Sequence, residues 1–279
     1  MTYKTILVHC DAGKTVSQRL DVAVGLAQRF EARLVGYHAR PPFELPGEFG
    51  GASTFAMDDV FRMHTEAVKA DEAAASAAFT KAIKGKALST EWRVVDGHAD
   101  AELIVQTRYA DLVVVGQAEP EQFTTPSDLP EAVALGTGRP VLVVPYIGVK
   151  RPPGKVAMLC WNASREAARA AYDALPLLTA ADKVVVLVVE PRSSNDGHGA
   201  EPGADVAAWL SRHGAKVTVQ RDVAPDADVG AAILSRAADH DVDLIVMGLY
   251  GHSRLRELVL GGASRTLLGS MTVPVLMAH

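Results

Sequence analysis

The chain of 279 residues is long enough for two domains of ordinary size, each with its own core. Hydrophobic residues make up 48% and charged residues 22%, the balance of a globular protein in water. The net charge of −5 arises in the first part, where residues 1–146 hold 14 Lys and Arg against 19 Asp and Glu while the rest hold 14 against 14; neither part has the basic excess of a nucleic-acid binder.

In chain order, the apolar run 5–10 (TILVHC) reads as a strand, and Val16, Leu20, Ala23, Val24 and Ala27 then fall on one helical face. A second strand is predicted at 33–39, followed by an irregular stretch, PPFELPGEFGGAS, and a long Ala-rich helix over 58–84. Lys69, Asp71, Glu72 and Lys81 punctuate that helix and mark it as packed on protein, not lipid. Strands at 91–95, 111–116 and 139–145 and a helix at 101–109 complete the first unit, with Ser127 and Asp128 as the N-cap of another helix.

The same order recurs. A strand at 156–161 precedes Ser164 as N-cap, with Ala168, Ala171, Tyr172 and Leu175 as the apolar face of a helix. Strands follow at 183–189, 216–220, 243–248 and 272–277, with helices at 204–213 and 229–239. The segments ADLVVVG (110–116) and VDLIVMG (242–248) match, as do RPVLVVP (139–145) and VPVLM (273–277), and Asp11 holds the place of Asn162. Runs apolar on both faces, alternating with amphipathic helices, imply parallel sheets covered on both sides. The predicted fold class is α/β: two tandem doubly wound five-stranded parallel sheets, Rossmann-like, over 1–146 and 155–279, with 147–154 as linker. Pairing of the last strands of the two units would form an internal pseudo-dimer and protect their edges.

In such sheets ligands bind outside the carboxyl ends of the strands, where strand order reverses. After the strand 243–248 the chain runs Gly248-x2-Gly251-His252-x8-Gly261-Gly262-Ala263-Ser264 and opens a helix near Ser264. Glycine-exposed amides and a helix N-terminus suit an anion, Ser264 adds a hydroxyl, and Arg254, Arg256 and Arg265 add charge, together fitting a di- or triphosphate. The bland reading is that the glycines only shape turns and let a helix approach the sheet. The matching turn of the first unit, Gly116-Gln-Ala-Glu119-Pro120-Glu121, followed by Glu131 in the next helix, would repel phosphate, so no nucleotide is expected there.

The stretch MGLYGHSRLRELVLGGASRTLLGSMTVPVLM resembles the C-terminal signature of the universal stress protein family, and ILVHCDAGKTVSQRLDVAVGLA and WNASREAARAAYDALPLL resemble its first strand and helix. The resemblance implies a stress-response module that binds an adenine nucleotide, ATP or AMP with Mg2+, without being an enzyme beyond slow ATP hydrolysis. Carried over by position, Gly248, Gly251, His252, Gly261, Gly262, Ala263 and Ser264 would line the phosphate and ribose pocket, Val189 would lie against adenine, and Asn162 stands where family members usually have Asp. Gly262 replaces the Ser or Thr that the family places after the third glycine. These departures motivate a second reading, a stress protein that binds no nucleotide and works through protein contacts. A third, by fold analogy, is a nucleotidyl-transfer or ATP-hydrolysing enzyme. A homodimer is a further expected association.

Other motifs read as structure. Gly13-Lys14-Thr15 resembles the end of a phosphate-binding Walker loop, but Val8 occupies the required glycine. His9 and His38, on adjacent strands, are read as partly buried, hydrogen-bonded residues, and Asp239, Asp241 and Asp243 as carboxylates that satisfy backbone donors at a turn. No metal-ligand spacing or nucleophile elbow is visible. Only Cys10 and Cys160 occur, both in apolar runs, which fits a reducing compartment; without a signal-peptide pattern or a bilayer-length apolar stretch, the cytoplasm is expected and no membrane partner.

Overall fold

The computed structural model describes residues 2–44, 54–118, 128–189, 201–224, 228–249 and 262–279. In the first half β1 (Thr5–His9), α1 (Val16–Phe30), β2 (Arg33–Arg40), α2 (Thr54–Ile83) and β3 (Thr90–Asp96) are followed by α3 (Ala99–Thr107), β4 (Leu112–Gly116), α4 (Leu129–Gly136) and β5 (Val141–Val144). The second half comprises β6 (Val156–Cys160), α5 (Arg165–Asp173), α6 (Leu175–Thr179), β7 (Lys183–Val189), α7 (Ala204–Arg212), β8 (Val217–Asp222), α8 (Val229–Asp239), β9 (Leu244–Gly248), α9 (Gly262–Ser270) and β10 (Val275–Ala278).

The strands form one sheet in the order β3-β2-β1-β4-β5-β10-β9-β6-β7-β8. Within each half all pairs are parallel, and the halves join through the antiparallel pair β5–β10, with Val141 opposite Met277 and Val143 opposite Val275. The two expected five-stranded sheets are thus fused into a single ten-stranded one. Two apolar layers run across both halves: one packs the sheet against α1, α2, α5, α6 and α7, the other against α3, α4, α8 and α9. Strand order reverses between β1 and β4 and again between β6 and β9, which places two crevices at carboxyl strand ends.

The expected apolar face of α1 is buried in full. Of the face expected after Ser164, Ala171 and Leu175 are buried, whereas Ala168 and Tyr172 are exposed and Glu166, Ala167 and Ala170 face inward in their place. Alanines occur all around this helix, so spacing alone leaves its orientation open by about one residue. Ser164 caps α5 as expected, its Oγ accepting from Ala167 N at 3.1 Å. Asp128 precedes α4 without a side-chain cap bond, and Ser127 lies outside the described residues.

Residues 147–154, expected as a plain linker, form a strap bonded to both halves. Arg29 of α1 donates to the carbonyls of Pro153, Gly154 and Ala180 at 3.2, 3.3 and 3.0 Å. Asp243 accepts from the backbone N–H of Gly154, Lys155 and Val156 and from Arg151 Nε at 2.8 Å. Its repeat counterpart Asp111 accepts from Lys4 and Thr5 N–H at 2.8 and 2.9 Å. In both halves, then, the Asp before the fourth strand anchors the start of the first. No described helix is long and apolar enough to cross a membrane.

Candidate functional site

Each half turns from its first strand into its first helix in the same way. Asp11 Oδ1 accepts from Gly13 N–H at 3.0 Å, and Asn162 Oδ1 accepts from Ser164 N–H at 3.2 Å. A side-chain oxygen two residues before the donor closes a local turn, so the amide of Asn162 serves where Asp11 uses a carboxylate. Ala163, inside the second turn, has a left-handed φ of 58°.

Beyond this turn the halves diverge. Arg19, on α1 and 3% exposed, donates from Nη2 to Asp11 Oδ1 at 2.8 Å. Its Nη1 lies against Gly116 at the end of β4, where any Cβ would collide with it. The guanidinium therefore fills the crevice between β1 and β4. Ala170 occupies the same place after Asn162 and has no side chain to reach that far. Over Gly248, at the end of β9, the backbone of α5 itself comes close: a Cβ there would stand 2.5 Å from Ala167 N and from Glu166 C. One expected glycine of the phosphate loop thus serves close helix–sheet packing.

The N-terminal crevice is dense with polar atoms. Burial raises the Asp11 carboxyl's pKa, but Arg19 and, less strongly, His9 lower it, and the balance holds it well below the usual range. His9 is driven down to about 4, chiefly by burial, with Asp11 pulling the other way. His9 Nδ1, Arg19 Nε, Tyr37 Oη and His38 Nε2 are buried without hydrogen-bond partners among the described residues. The two histidines do not meet as a pair: His9 stands opposite Tyr37 in the strand register, and strand alternation sends His38 to the other face, where Nδ1 contacts Cys10 O at 2.8 Å. Burial also pushes the thiols of Cys10 and Cys160 up to about 12, and both are free.

In the C-terminal crevice, Asn162 and Val189 are half-buried at the ends of β6 and β7. Gly262, Ala263 and Ser264 form the first turn of α9; Gly262 is exposed with nothing within 4 Å of where a Cβ would stand, and Ser264 faces inward at 4% exposure. Gly251, His252, Arg254, Arg256 and Gly261 lie outside the described residues, as do Glu119, Pro120 and Glu121 of the first half. Among the described residues no cluster of His, Cys, Asp or Glu could hold a metal ion.

Sequence reasoning overlooked Arg19 and Gln117. Gln117 directly follows β4, donates to Leu268 O of α9 at 2.7 Å and accepts from Tyr146 N–H at 3.1 Å, tying the turn of one half to a helix of the other. Arg19 had a visible signal: it sits three residues after Val16 and one before Leu20, a charge on a buried stripe, which requires a partner.

Two repeated, doubly wound α/β units with crevices at their strand reversals define the class of this protein. The sequence matches the Universal stress protein family over residues 2–145 and 155–279, and the chain belongs to that family. It is 42% identical to universal stress protein Slr1230 of Synechocystis over 45 residues, a match covering 16% of each chain. The fold resembles that of a universal stress protein from Archaeoglobus fulgidus DSM 4304, with a TM-score of 0.68 at 16% identity over 98% of this chain and 95% of that one. A functionally unknown protein from Pseudomonas aeruginosa PAO1 has a TM-score of 0.56 at 15% identity, covering 99% and 92%.

Proposed function

We propose that the chain is a cytoplasmic stress-response module of two domains, 1–146 and 155–279, that binds one adenine nucleotide, ATP or AMP, in the C-terminal domain. The observation carrying this reading is the difference between the two crevices. Arg19 fills the first. Ala170 leaves the corresponding place in the second without a long side chain, and α9 begins there with an exposed glycine whose amide end suits phosphate. The spacing of Gly248, Gly251, Gly261 and Gly262 supports it. Asn162 and Val189 are assigned to the nucleoside, and Gly251, His252, Gly261, Gly262, Ala263 and Ser264 to the ribose and phosphates, while Gly248, expected among them, packs against the backbone of α5. Magnesium would enter bound to those phosphates, since hard cations of this kind are commonly held by substrate oxygens.

The module acts by binding and signalling to protein partners, with at most slow ATP hydrolysis. Calorimetry of the intact chain with ATP and AMP tests the reading. One site per chain, lost on changing Gly251 to Val, is the expected result; no heat at millimolar nucleotide favours the alternative of a stress protein acting through protein contacts alone.

A further inference from the structure

Helix α2 has 30 residues and is about 45 Å long, and only one side of it is held by the rest of the chain. Phe61, Val68, Ala75 and Ala82 recur every seven residues along that inward side. Ala75 is fully buried, and Phe79 beside it packs on Trp92 with ring centroids 5.4 Å apart. Phe61 leans edge-on against Phe43 at the same separation. A second apolar row has no such cover. Val60, Met63, Ala67, Ala70, Ala74 and Ala77 are all exposed, Val60 at 44% and Met63 at 67%. Their spacing alternates three and four residues, the repeat with which one helix packs along another. Val60 and Met63 are large side chains that gain by leaving water, and the alanines let a second helix come close.

Charge changes sign along this row. Glu66 precedes the alanines, and Lys81 and Lys84 follow them; all three are exposed and form no ion pair among the described residues. The other charges of the helix lie elsewhere or are already matched. Asp59 bonds Arg62 at 2.9 Å, and Glu72 bonds Arg40 at 2.7 Å. Asp71 is half-buried toward the inward side, and helical spacing sets Asp58 and Lys69 on the flank away from the row. A parallel second copy would put Glu66 beside Glu66 and Lys81 beside Lys81. A reversed copy puts Glu66 against Lys81 and Lys84, lays the aliphatic stem of Lys81 on Met63, and brings Ala70 to face Ala74 across a two-fold axis.

We propose that this face of α2 is a self-association surface, on which a second copy of the chain lays its own α2 in the antiparallel sense to form a symmetric dimer. Helix α2 packs over β2 near the outer end of the sheet, far in strand order from β6 and β9. Pairing there leaves the C-terminal crevice open, so the inference does not depend on nucleotide binding.

Analytical ultracentrifugation of the full chain, at concentrations up to about 0.5 mM, is the test. The expected result is a reversible monomer–dimer equilibrium, weakened at least about tenfold by Ala70→Glu, which sets two carboxylates near the axis, and by Glu66→Lys. Combining Glu66→Lys with Lys81→Glu exchanges the charges of an antiparallel pair and is expected to recover most of that loss. All three positions are exposed, and thermal melts check that the variants fold as the wild type does. A chain that stays monomeric, a dimer indifferent to Ala70→Glu, or no recovery in the exchanged pair would overturn the proposal. So would a monomer that floats with phosphatidylserine vesicles, which would give the face to a membrane instead.

Discussion

Arg19 reaches from α1 to Asp11 at the end of β1, Nη2 to Oδ1 at 2.8 Å, and the pair is almost wholly buried. A buried pair resists the loss of one member more than the loss of both, because the survivor keeps its desolvation cost without its partner. Arg19→Met is expected to cost about 3–5 kcal/mol, and the double variant Asp11→Asn/Arg19→Met distinctly less. Urea unfolding of the two variants measures the difference; equal losses would mean the pair is not coupled.

His9 makes the first half acid-sensitive. Its folded pKa of about 4 lies below the ordinary value of 6.5. Between those limits the unfolded chain takes up a proton that the folded chain refuses. Stability associated with neutral His9 is therefore complete above pH 6.5 and falls as the pH drops toward 4, by about 2 kcal/mol at pH 5. Asp11, held low, adds a loss only at still lower pH. Thermal melts at pH 7.5 and 5.0 should show a smaller drop in His9→Gln than in the wild type.

Asp243 and Asp111 offer a graded comparison. Asp243 serves three backbone donors and Arg151, whereas Asp111 serves two backbone donors. Asp243→Ala is expected to cost about 3 kcal/mol and Asp111→Ala about half that, since hydrogen bonds to charged groups are worth more than neutral ones. Chemical denaturation of each variant against the wild type reads the ratio.

Two glycines of the candidate loop should respond oppositely. A methyl on Gly248 meets helix backbone, which cannot swing aside, so Gly248→Ala is expected to cost about 1–3 kcal/mol. Gly262 has open space and begins a helix, so Gly262→Ala should lie within about 0.5 kcal/mol of the wild type. The same unfolding assay compares them.

The sheet was legible because its strands are continuous apolar runs, and the repeat of ADLVVVG in VDLIVMG revealed the duplication. Matching RPVLVVP to VPVLM also indicated how the halves meet, and β5 pairs with β10. Most boundaries slipped by one or two residues, and the start of α2 by four, since it begins at Thr54 rather than 58. The contents of the crevices were harder to read. Hydrophobic spacing carries no information about a charge that finds its partner through the fold, so Arg19 over Gly116 stayed hidden, as did the reach of Gln117 to Leu268. The role of Gly248 was equally ambiguous, because a glycine that admits a ligand and one that admits a helix look alike in sequence.

The antiparallel junction of β5 with β10 has a genetic consequence. Two copies of a one-unit protein meeting along that seam would share every substitution, so a plug such as Arg19 would close both crevices at once. Written in tandem on one polypeptide, the units are free to drift apart, and a single change can retire one crevice while its twin keeps its freedom.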